Sequence, residues 1–316
     1  MRAGSRQDEG RGGTRLTDSH APIGVFDSGI GGLTVVREIM RQMPQENIVY
    51  FGDTARVPYG SKSRDTIIRY CRQIVSFLRT KRVKAIVIAC NTASAHALDV
   101  IEAEQDIPVI GVIRAGAKTA AETTANGRIG VIATRGTIDS RVYEQVLHES
   151  HPEFQIFGKA CPLFVPLVEE GLTHDFITEE IARRYVRDLQ YKGIDTLILG
   201  CTHYPLLRTL LCKVMGEEVR LVNPAYETAI ELKQRLKEQG LARGSLAGES
   251  DAPSGTDLAA ASTDRILPSS RLLPPAEYRF YVSDLAAQFQ EFANSILPYD
   301  VAGTEQIDIE AYGAGR

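Results

Sequence analysis

The sequence predicts an α/β protein with parallel sheets in two similar halves. Short apolar runs without alternation, such as residues 85–89 and 196–199, are typical of strands buried on both faces of a parallel sheet. They alternate with longer amphipathic stretches, as in folds built from β-α units. The strand motifs also recur: Cys90 and Cys201 are 111 residues apart, and the similar strand openings at Ile23 and Ile129 are 106 apart. We therefore expect two similar domains that face each other across a cleft with pseudo-twofold symmetry.

Composition limits the class of protein. A chain of 316 residues has room for two domains, and 43% hydrophobic with 24% charged residues is ordinary for a globular protein. The net charge of −4 gives no support to nucleic-acid or membrane binding. Five cysteines form an odd set without a CxxC pair, which favours a reducing compartment over a disulfide framework. With no apolar stretch of membrane length and no apolar signal core, we expect a cytoplasmic protein.

Three segments lack the periodicity of a packed core. Residues 1–20 are polar and rich in glycine and arginine, and we expect a disordered tail. Residues 241–275 shift to Ala, Ser, Gly and Pro, which predicts a flexible insertion. Residues 301–316 are interpreted as a second loose tail.

The first half begins with a strand at 23–26, which leads into a turn containing Asp27, Ser28 and three glycines. Ligands of parallel α/β sheets bind at the carboxyl ends of strands, so this turn is a candidate binding loop. A second strand, 47–52, leads to the loop 53–60. Charged and aromatic side chains at a strand end favour a functional loop there over a plain Pro/Gly turn.

Cys90 is the first candidate catalytic residue. It directly follows the apolar run 85–89, and the polar residues behind it favour a helix start: Asn91, Thr92 and Ser94. A thiol between a strand end and a helix start meets free backbone N–H groups and the positive end of the helix dipole. We therefore expect its pKa to be lowered, into the range of about 3.5–7.5 known for such cysteines. A lone cysteine is more often core filling, so Cys90 alone would not define a site.

Cys201 occupies the same kind of position in the second half. The run 196–199 leads through Gly200 to Cys201, and His203 lies two residues farther on. Two thiols at strand ends of two similar halves are the arrangement expected of an enzyme that moves a proton with two bases.

The residues alone leave other classes open. A metal site on Cys201 and His203 would have too few ligands, because no matching set lies near Cys90. A hydrolase or transferase with Cys90 as covalent nucleophile is the main alternative enzyme. A related binding module would be expected to lack one thiol, whereas both are present. No lysine lies at a strand-end motif where pyridoxal phosphate could attach, so we expect no cofactor and no metal.

Five motifs between residues 23 and 226 resemble those of glutamate racemases, cofactor-independent enzymes of the aspartate/glutamate racemase family. They occur in this order: GVFDSGIGGLTV (24–35), YFGDTARVPYG (50–60), ACNTASA (89–95), CPLFVPLVEEG (161–171) and LILGCTHYPLL (197–207). Five ordered motifs are a specific signal, and the second one separates this group from the related aspartate racemases.

The resemblance implies an activity and a set of residues. The protein would interconvert L-glutamate and D-glutamate, supplying D-glutamate for peptidoglycan synthesis. Cys90 and Cys201 would be the two acid/base residues, assisted by Asp27 and His203 respectively, with Glu169 close to the site. The implied substrate contacts are Asp27, Ser28, Tyr59, Gly60, Asn91, Thr92, Thr134, Thr137, Thr202 and His203.

The resemblance also implies how the chain divides. The first domain would combine 21–114 with 225–300, and the second, 115–224, would be inserted between them. We expect a homodimer that binds glutamate as its small-molecule partner. The chain departs from the family at Arg114-Ala115, where an acidic residue and a proline are common.

Overall fold

The computed structural model describes residues 18–244 and 275–313. The first described segment opens with elements that alternate strand and helix: β1 (Ile23–Asp27), α1 (Leu33–Gln42), β2 (Ile48–Gly52), α2 (Arg64–Thr80), β3 (Ala85–Ile88), α3 (Asn91–Glu104), β4 (Val109–Gly111) and α4 (Val112–Thr123). Short 3₁₀ turns at Thr54–Arg56 and Tyr59–Ser61 lie between β2 and α2.

The same alternation continues to the end of the described chain. The remaining elements are β5 (Arg128–Ala133), α5 (Arg135–Asp139), α6 (Val142–Ser150), β6 (Gln155–Ala160), α7 (Phe164–Glu169), α8 (Phe176–Tyr191), β7 (Thr196–Gly200), α9 (Arg208–Met215), β8 (Arg220–Val222), α10 (Pro224–Glu238), β9 (Tyr278–Val282), α11 (Ala286–Ile296) and β10 (Thr304–Gln306). Two further 3₁₀ turns span Tyr204–Leu207 and Ile309–Tyr312.

The strands form two parallel sheets, which confirms the predicted α/β class. The larger sheet has the order β10-β9-β2-β1-β3-β4, and the smaller one has the order β6-β5-β7-β8. Every pairing in both sheets is parallel. The central strands β1, β2, β3 and β7 are buried along their whole length, because helices cover both faces of their sheets.

The two sheets share part of one apolar core. Ile23 and Val25 of the large sheet belong to the same buried cluster as Ile129 and Val131 of the small sheet. Helices α4 and α10 carry the chain from one sheet to the other and back, and they pack closely against each other. A Cβ added at Gly116 on α4 would lie 2.8 Å from Pro224 Cγ on α10, so glycine permits this close crossing.

The predicted domain boundaries fall close to these two crossings. The boundary at 114/115 lies inside α4, because that helix begins at Val112. The boundary at 224/225 lies in the first turn of α10. The division into two domains with these limits stays a prediction.

The interpretation of 301–316 as a loose tail is wrong for residues 301–313. Strand β10 pairs with β9 at the edge of the large sheet, and Ile309 is buried against the same core as Phe77. The segment looks polar because an edge strand needs only backbone pairing, and Val301 and Ile309 are its buried apolar side chains. Residues 314–316 lie outside the described chain.

The predicted tail and insertion also begin or end within packed structure. The Ser19 carbonyl accepts a hydrogen bond from the buried Lys84 Nζ, so residues 18–20 are not part of a free tail. At the other site, Leu241 and Arg243 are buried, and the Arg243 backbone N–H donates to Glu46 at 2.7 Å. The rest of both predictions, residues 1–17 and 245–274, lies outside the described residues. Within the described part of the chain, no helix is both long and apolar enough to cross a membrane.

Candidate active site

A cavity of about 530 Å³ lies between the carboxyl ends of the two sheets. It is lined by eleven of the thirteen residues that the sequence singled out: Ser28, Tyr59, Gly60, Cys90, Asn91, Thr92, Thr134, Glu169, Cys201, Thr202 and His203. The other two, Asp27 and Thr137, are buried directly beside lining residues. Parallel strands end at the same edge of a sheet, so motifs far apart in sequence meet at this cavity.

Cys90 enters the cavity from the large sheet. It follows β3 and is itself the N-cap of α3, because its Sγ accepts the backbone N–H of Ala93 at 3.4 Å. The Cys90 thiol in turn donates to Ser28 Oγ at 3.5 Å. The side chain is only 5% exposed.

The expectation of a lowered Cys90 pKa is wrong. Burial of the thiol, followed by the charge of Asp27, raises the pKa of Cys90 to about 12. The Ser28 hydroxyl and the Ala93 N–H favour the thiolate, but they do not outweigh burial. Cys90 is therefore a protonated thiol at neutral pH in this structure.

Cys201 enters the same cavity from the small sheet, at the end of β7. Its Sγ lies 3.8 Å from His203 Nδ1, and His203 Nε2 lies 3.0 Å from Glu169 Oε1. The three side chains form a continuous chain from the half-exposed carboxylate to the buried thiol.

His203 has a strongly altered proton affinity. Burial favours the neutral ring, but hydrogen bonds to Cys201 and Glu169, with the charges of Cys201 and Asp27, raise the pKa of His203 to about 10. A protonated imidazole therefore lies beside the Cys201 thiol group.

Asp27 lies beside the cavity-lining residues Gly29 and Thr202 and is fully buried. Its carboxylate accepts the Gly29 N–H at 3.0 Å and the Thr202 hydroxyl at 3.5 Å. Burial raises the pKa of Asp27, although the charge of His203 and nearby backbone N–H groups oppose that effect. Asp27 therefore interacts with both halves, through the turn after β1 and through the Cys201 loop.

The turn after β1 also presses directly on the Cys201 loop. A Cβ added at Gly31 would lie 2.4 Å from both His203 Nδ1 and Thr202 Oγ1. The Thr34 hydroxyl lies 2.9 Å from the Thr202 carbonyl, to which it donates. The two halves thus meet tightly beside the second cysteine.

Three threonine hydroxyls form a hydrogen-bonded set beside the cavity, and two of them, Thr92 and Thr134, belong to lining residues. Thr92 Oγ1 lies 2.9 Å from Thr134 Oγ1 and 3.1 Å from Thr137 Oγ1, and the last two are also 3.1 Å apart. We call this set the threonine triangle. Thr92 lies in the first turn of α3 and Thr134 is the N-cap of α5, so each half contributes a helix start with free N–H groups.

The loop after β2 carries Tyr59 and Gly60 to the cavity. The Tyr59 hydroxyl donates to Asp53 Oδ2, which also accepts from Arg56 Nε at 2.7 Å. Ser283, after β9, donates to the other Asp53 oxygen at 2.9 Å. A buried carboxylate thus holds the loop in place.

Several lining residues were not singled out from the sequence: Val57, Pro58, Ser61, Arg135, Pro162, Val165 and Pro166. Most belong to the motifs YFGDTARVPYG and CPLFVPLVEEG, so their place in a motif at a strand end is the sequence feature that could have identified them as lining residues. In residues 18–244 and 275–313, no group of three or more His, Cys, Asp or Glu side chains could hold a metal ion. The expected absence of a metal and of a cofactor stays a prediction.

Comparisons with known proteins agree with the motifs. The family model described as Asp/Glu/Hydantoin racemase matches residues 23–230. A glutamate racemase of Geobacter metallireducens is 44% identical over 289 residues, which cover 92% of this chain and 97% of that protein.

Solved structures give the same result. A glutamate racemase of Bacillus anthracis has a TM-score of 0.80 at 37% identity, covering 92% of this chain and 98% of the other. A Francisella tularensis glutamate racemase, solved in complex with D-glutamate, has a TM-score of 0.79 at 37% identity and covers 93% and 100%. The predicted family is confirmed, and this chain belongs to the Asp/Glu/hydantoin racemases.

Proposed function

We propose that the protein interconverts L-glutamate and D-glutamate without a cofactor, by proton transfer between the substrate and two cysteines. The observation that carries the proposal is the position of Cys90 and Cys201, one from each sheet, at a single cavity. Inversion at an α-carbon needs a base on one face and an acid on the other. Glutamate is the substrate named for the relatives from Geobacter, Bacillus and Francisella.

In the direction from L-glutamate, the Cys201 thiolate removes the α-proton and the Cys90 thiol gives its own proton to the opposite face. The reaction leaves a Cys201 thiol and a Cys90 thiolate, so the reverse reaction uses the same pair with exchanged roles. The raised pKa of Cys90 supports its role as the acid in this direction, because the thiol holds its proton at neutral pH. His203 and Glu169 assist Cys201.

The carboxylate of the substrate needs donors, because negative charge develops next to it as the α-proton leaves. The threonine triangle, Asn91, Thr202 and the helix starts beside them supply hydroxyl and N–H donors at the cavity. Hydrogen bonds to a charged oxygen are about twice as strong as neutral ones. Their effect grows in a site that excludes water.

Deuterium incorporation tests the two-base mechanism. In heavy water, L-glutamate loses protium to Cys201 while Cys90 already carries deuterium from the solvent. D-glutamate formed in the first few per cent of the reaction should hold deuterium at the α-carbon, and the remaining L-glutamate should stay protiated by NMR. A single-base enzyme would put label into both enantiomers equally, and that result would contradict the proposal.

Substitution of each thiol gives the second test. Cys90→Ala and Cys201→Ala should each abolish racemisation measured by circular dichroism, because each direction needs both groups. Cys212→Ala is the matched control, since Cys212 is exposed on α9 and is not among the residues that line the cavity. Racemisation that survives loss of either Cys90 or Cys201 would end the two-thiol mechanism.

The proposed role in the cell is supply of D-glutamate for peptidoglycan. A cytoplasmic location and a homodimer stay predictions, and light scattering of the purified protein tests the dimer.

A further inference from the structure

Tyr143 on α6 contacts both cysteine loops, although it lies outside the cavity lining. It is 4% exposed and belongs to the apolar cluster that joins the two sheets. Two contacts distinguish it from ordinary core filling.

The first contact is with the Cys90 loop. The Tyr143 hydroxyl donates to Asn91 Oδ1 at 2.7 Å, and both groups are buried. Asn91 is the first residue of α3, directly after Cys90, and it lines the cavity. When Oδ1 accepts this bond, the amide orientation is fixed and the two N–H groups of Nδ2 are the ones presented to another acceptor.

The second contact is with the Cys201 loop. A Cβ added at Gly200 would lie 3.2 Å from Tyr143 Cε2, so the tyrosine ring packs against the backbone of the residue just before Cys201. Burial, followed by the charge of Cys201, raises the pKa of Tyr143. A rigid ring that touches both loops keeps their separation constant, since an aromatic side chain has few rotatable bonds.

We propose that Tyr143 is a positioning residue that orients the Asn91 amide toward the substrate and fixes the spacing of the two cysteine loops. This inference rests on the proposed function, because it assigns Asn91 to substrate binding. Tyr143 takes no part in proton transfer. It acts through Asn91.

A double-mutant cycle between Tyr143→Phe and Asn91→Ala tests this role. Tyr143→Phe keeps the ring and removes one hydrogen bond, so kcat/KM for glutamate should fall about tenfold, and kcat should fall in both directions. In the Asn91→Ala background, the same change should alter kcat/KM by less than about twofold, because its target is gone. An equal fold-loss in both backgrounds, or a lower melting temperature without loss of kcat/KM, would overturn the proposal.

Tyr204→Phe is the matched control. Tyr204 is fully buried and its hydroxyl donates to the Cys161 carbonyl at 2.8 Å, so the change removes the same chemical group from the same half. The fold-change in kcat/KM that Tyr204→Phe causes should be the same in the wild-type and in the Asn91→Ala background. Coupling of Tyr204 to Asn91 as strong as that of Tyr143 would mean that the cycle reports general packing, and would also overturn the proposal.

A measurement without substrate separates this inference from the proposed function. The Asn91 side-chain amide resonance can be assigned by its loss in Asn91→Ala, and it should shift in Tyr143→Phe and stay in place in Tyr204→Phe. If the wild type does not racemise glutamate, the proposed function fails. Independently of that result, an unmoved Asn91 resonance in Tyr143→Phe refutes the inference that Tyr143 orients Asn91.

Discussion

Gly31→Ala should inactivate the protein while leaving it folded. The added methyl group would lie 2.4 Å from His203 Nδ1 and from Thr202 Oγ1, about 1 Å closer than atoms in ordinary contact. The backbone at Gly31 does not have a positive φ, so the effect comes from the contact and not from the conformation of the turn. Neither neighbour is the far end of a flexible chain, since the His203 ring is also held by Glu169.

The magnitude follows from these distances. Overpacking of a tight contact costs about 1–3 kcal/mol of stability, which a protein of this size registers as a fall of several degrees in melting temperature. A displacement of about 1 Å at a catalytic group costs about 100-fold in rate. We therefore expect kcat for glutamate to fall about 100-fold, with a cooperative unfolding transition preserved.

The assay is racemisation followed by circular dichroism, beside thermal unfolding of the same samples. Gly24→Ala is the control, because its methyl group would lie 3.1 Å from Val83 Cγ1 at the other end of β1. It should lower the melting temperature and leave kcat within about twofold. A Gly31→Ala protein with kcat within threefold of the wild type would refute the idea that this contact positions His203.

Three further outcomes are expected. Deleting residues 2–17, or replacing 245–272 with a few Gly and Ser residues, should keep kcat within tenfold, because neither segment has core periodicity; a larger loss would contradict that interpretation. Asp27→Asn and His203→Asn should lower kcat unequally in the two directions at saturating substrate, with KM changing in step because the enantiomers have equal free energy; equal slowing would contradict the assignment of one helper to each cysteine. Because the pKa of His203 is raised to about 10, its contribution to the free energy of unfolding is complete below about pH 6.5 and is lost as pH rises toward about 10. The melting-temperature difference between wild type and His203→Asn should therefore shrink over that range, and a constant difference would refute this prediction.

The fold was predictable because its central strands are buried on both faces. Runs such as 85–89 contain only apolar residues, which identifies them without any alignment. The same prediction explains why residues far apart in sequence meet at one site, since the carboxyl ends of parallel strands lie at one edge of a sheet. Cys90 and Cys201 could therefore be paired from residues alone.

The electrostatics of the site were less predictable. A helix start lowers a thiol pKa locally, but burial depends on residues brought together by the fold, and at Cys90 burial is the larger effect. The contacts of Tyr143 could not be predicted either, because they too depend on residues that the fold brings together. Its spacing on α6 indicates a core position, and nothing nearby in sequence points to Asn91, 52 residues away. Strand β10 was not predicted because the segment Thr304–Gln306 is polar. Only its pairing with β9 defines it as an edge strand.

The threonine triangle has a consequence for ligand selection. The three hydroxyls carry three protons, and each Oγ1 atom lies within hydrogen-bond distance of the other two. A neutral ligand that displaces these bonds exchanges one neutral hydrogen bond for another and gains little. A carboxylate exchanges them for charge-assisted bonds, which are about twice as strong. The threonine triangle therefore favours a negatively charged ligand group over a neutral one, because only the charged group forms bonds stronger than those it replaces.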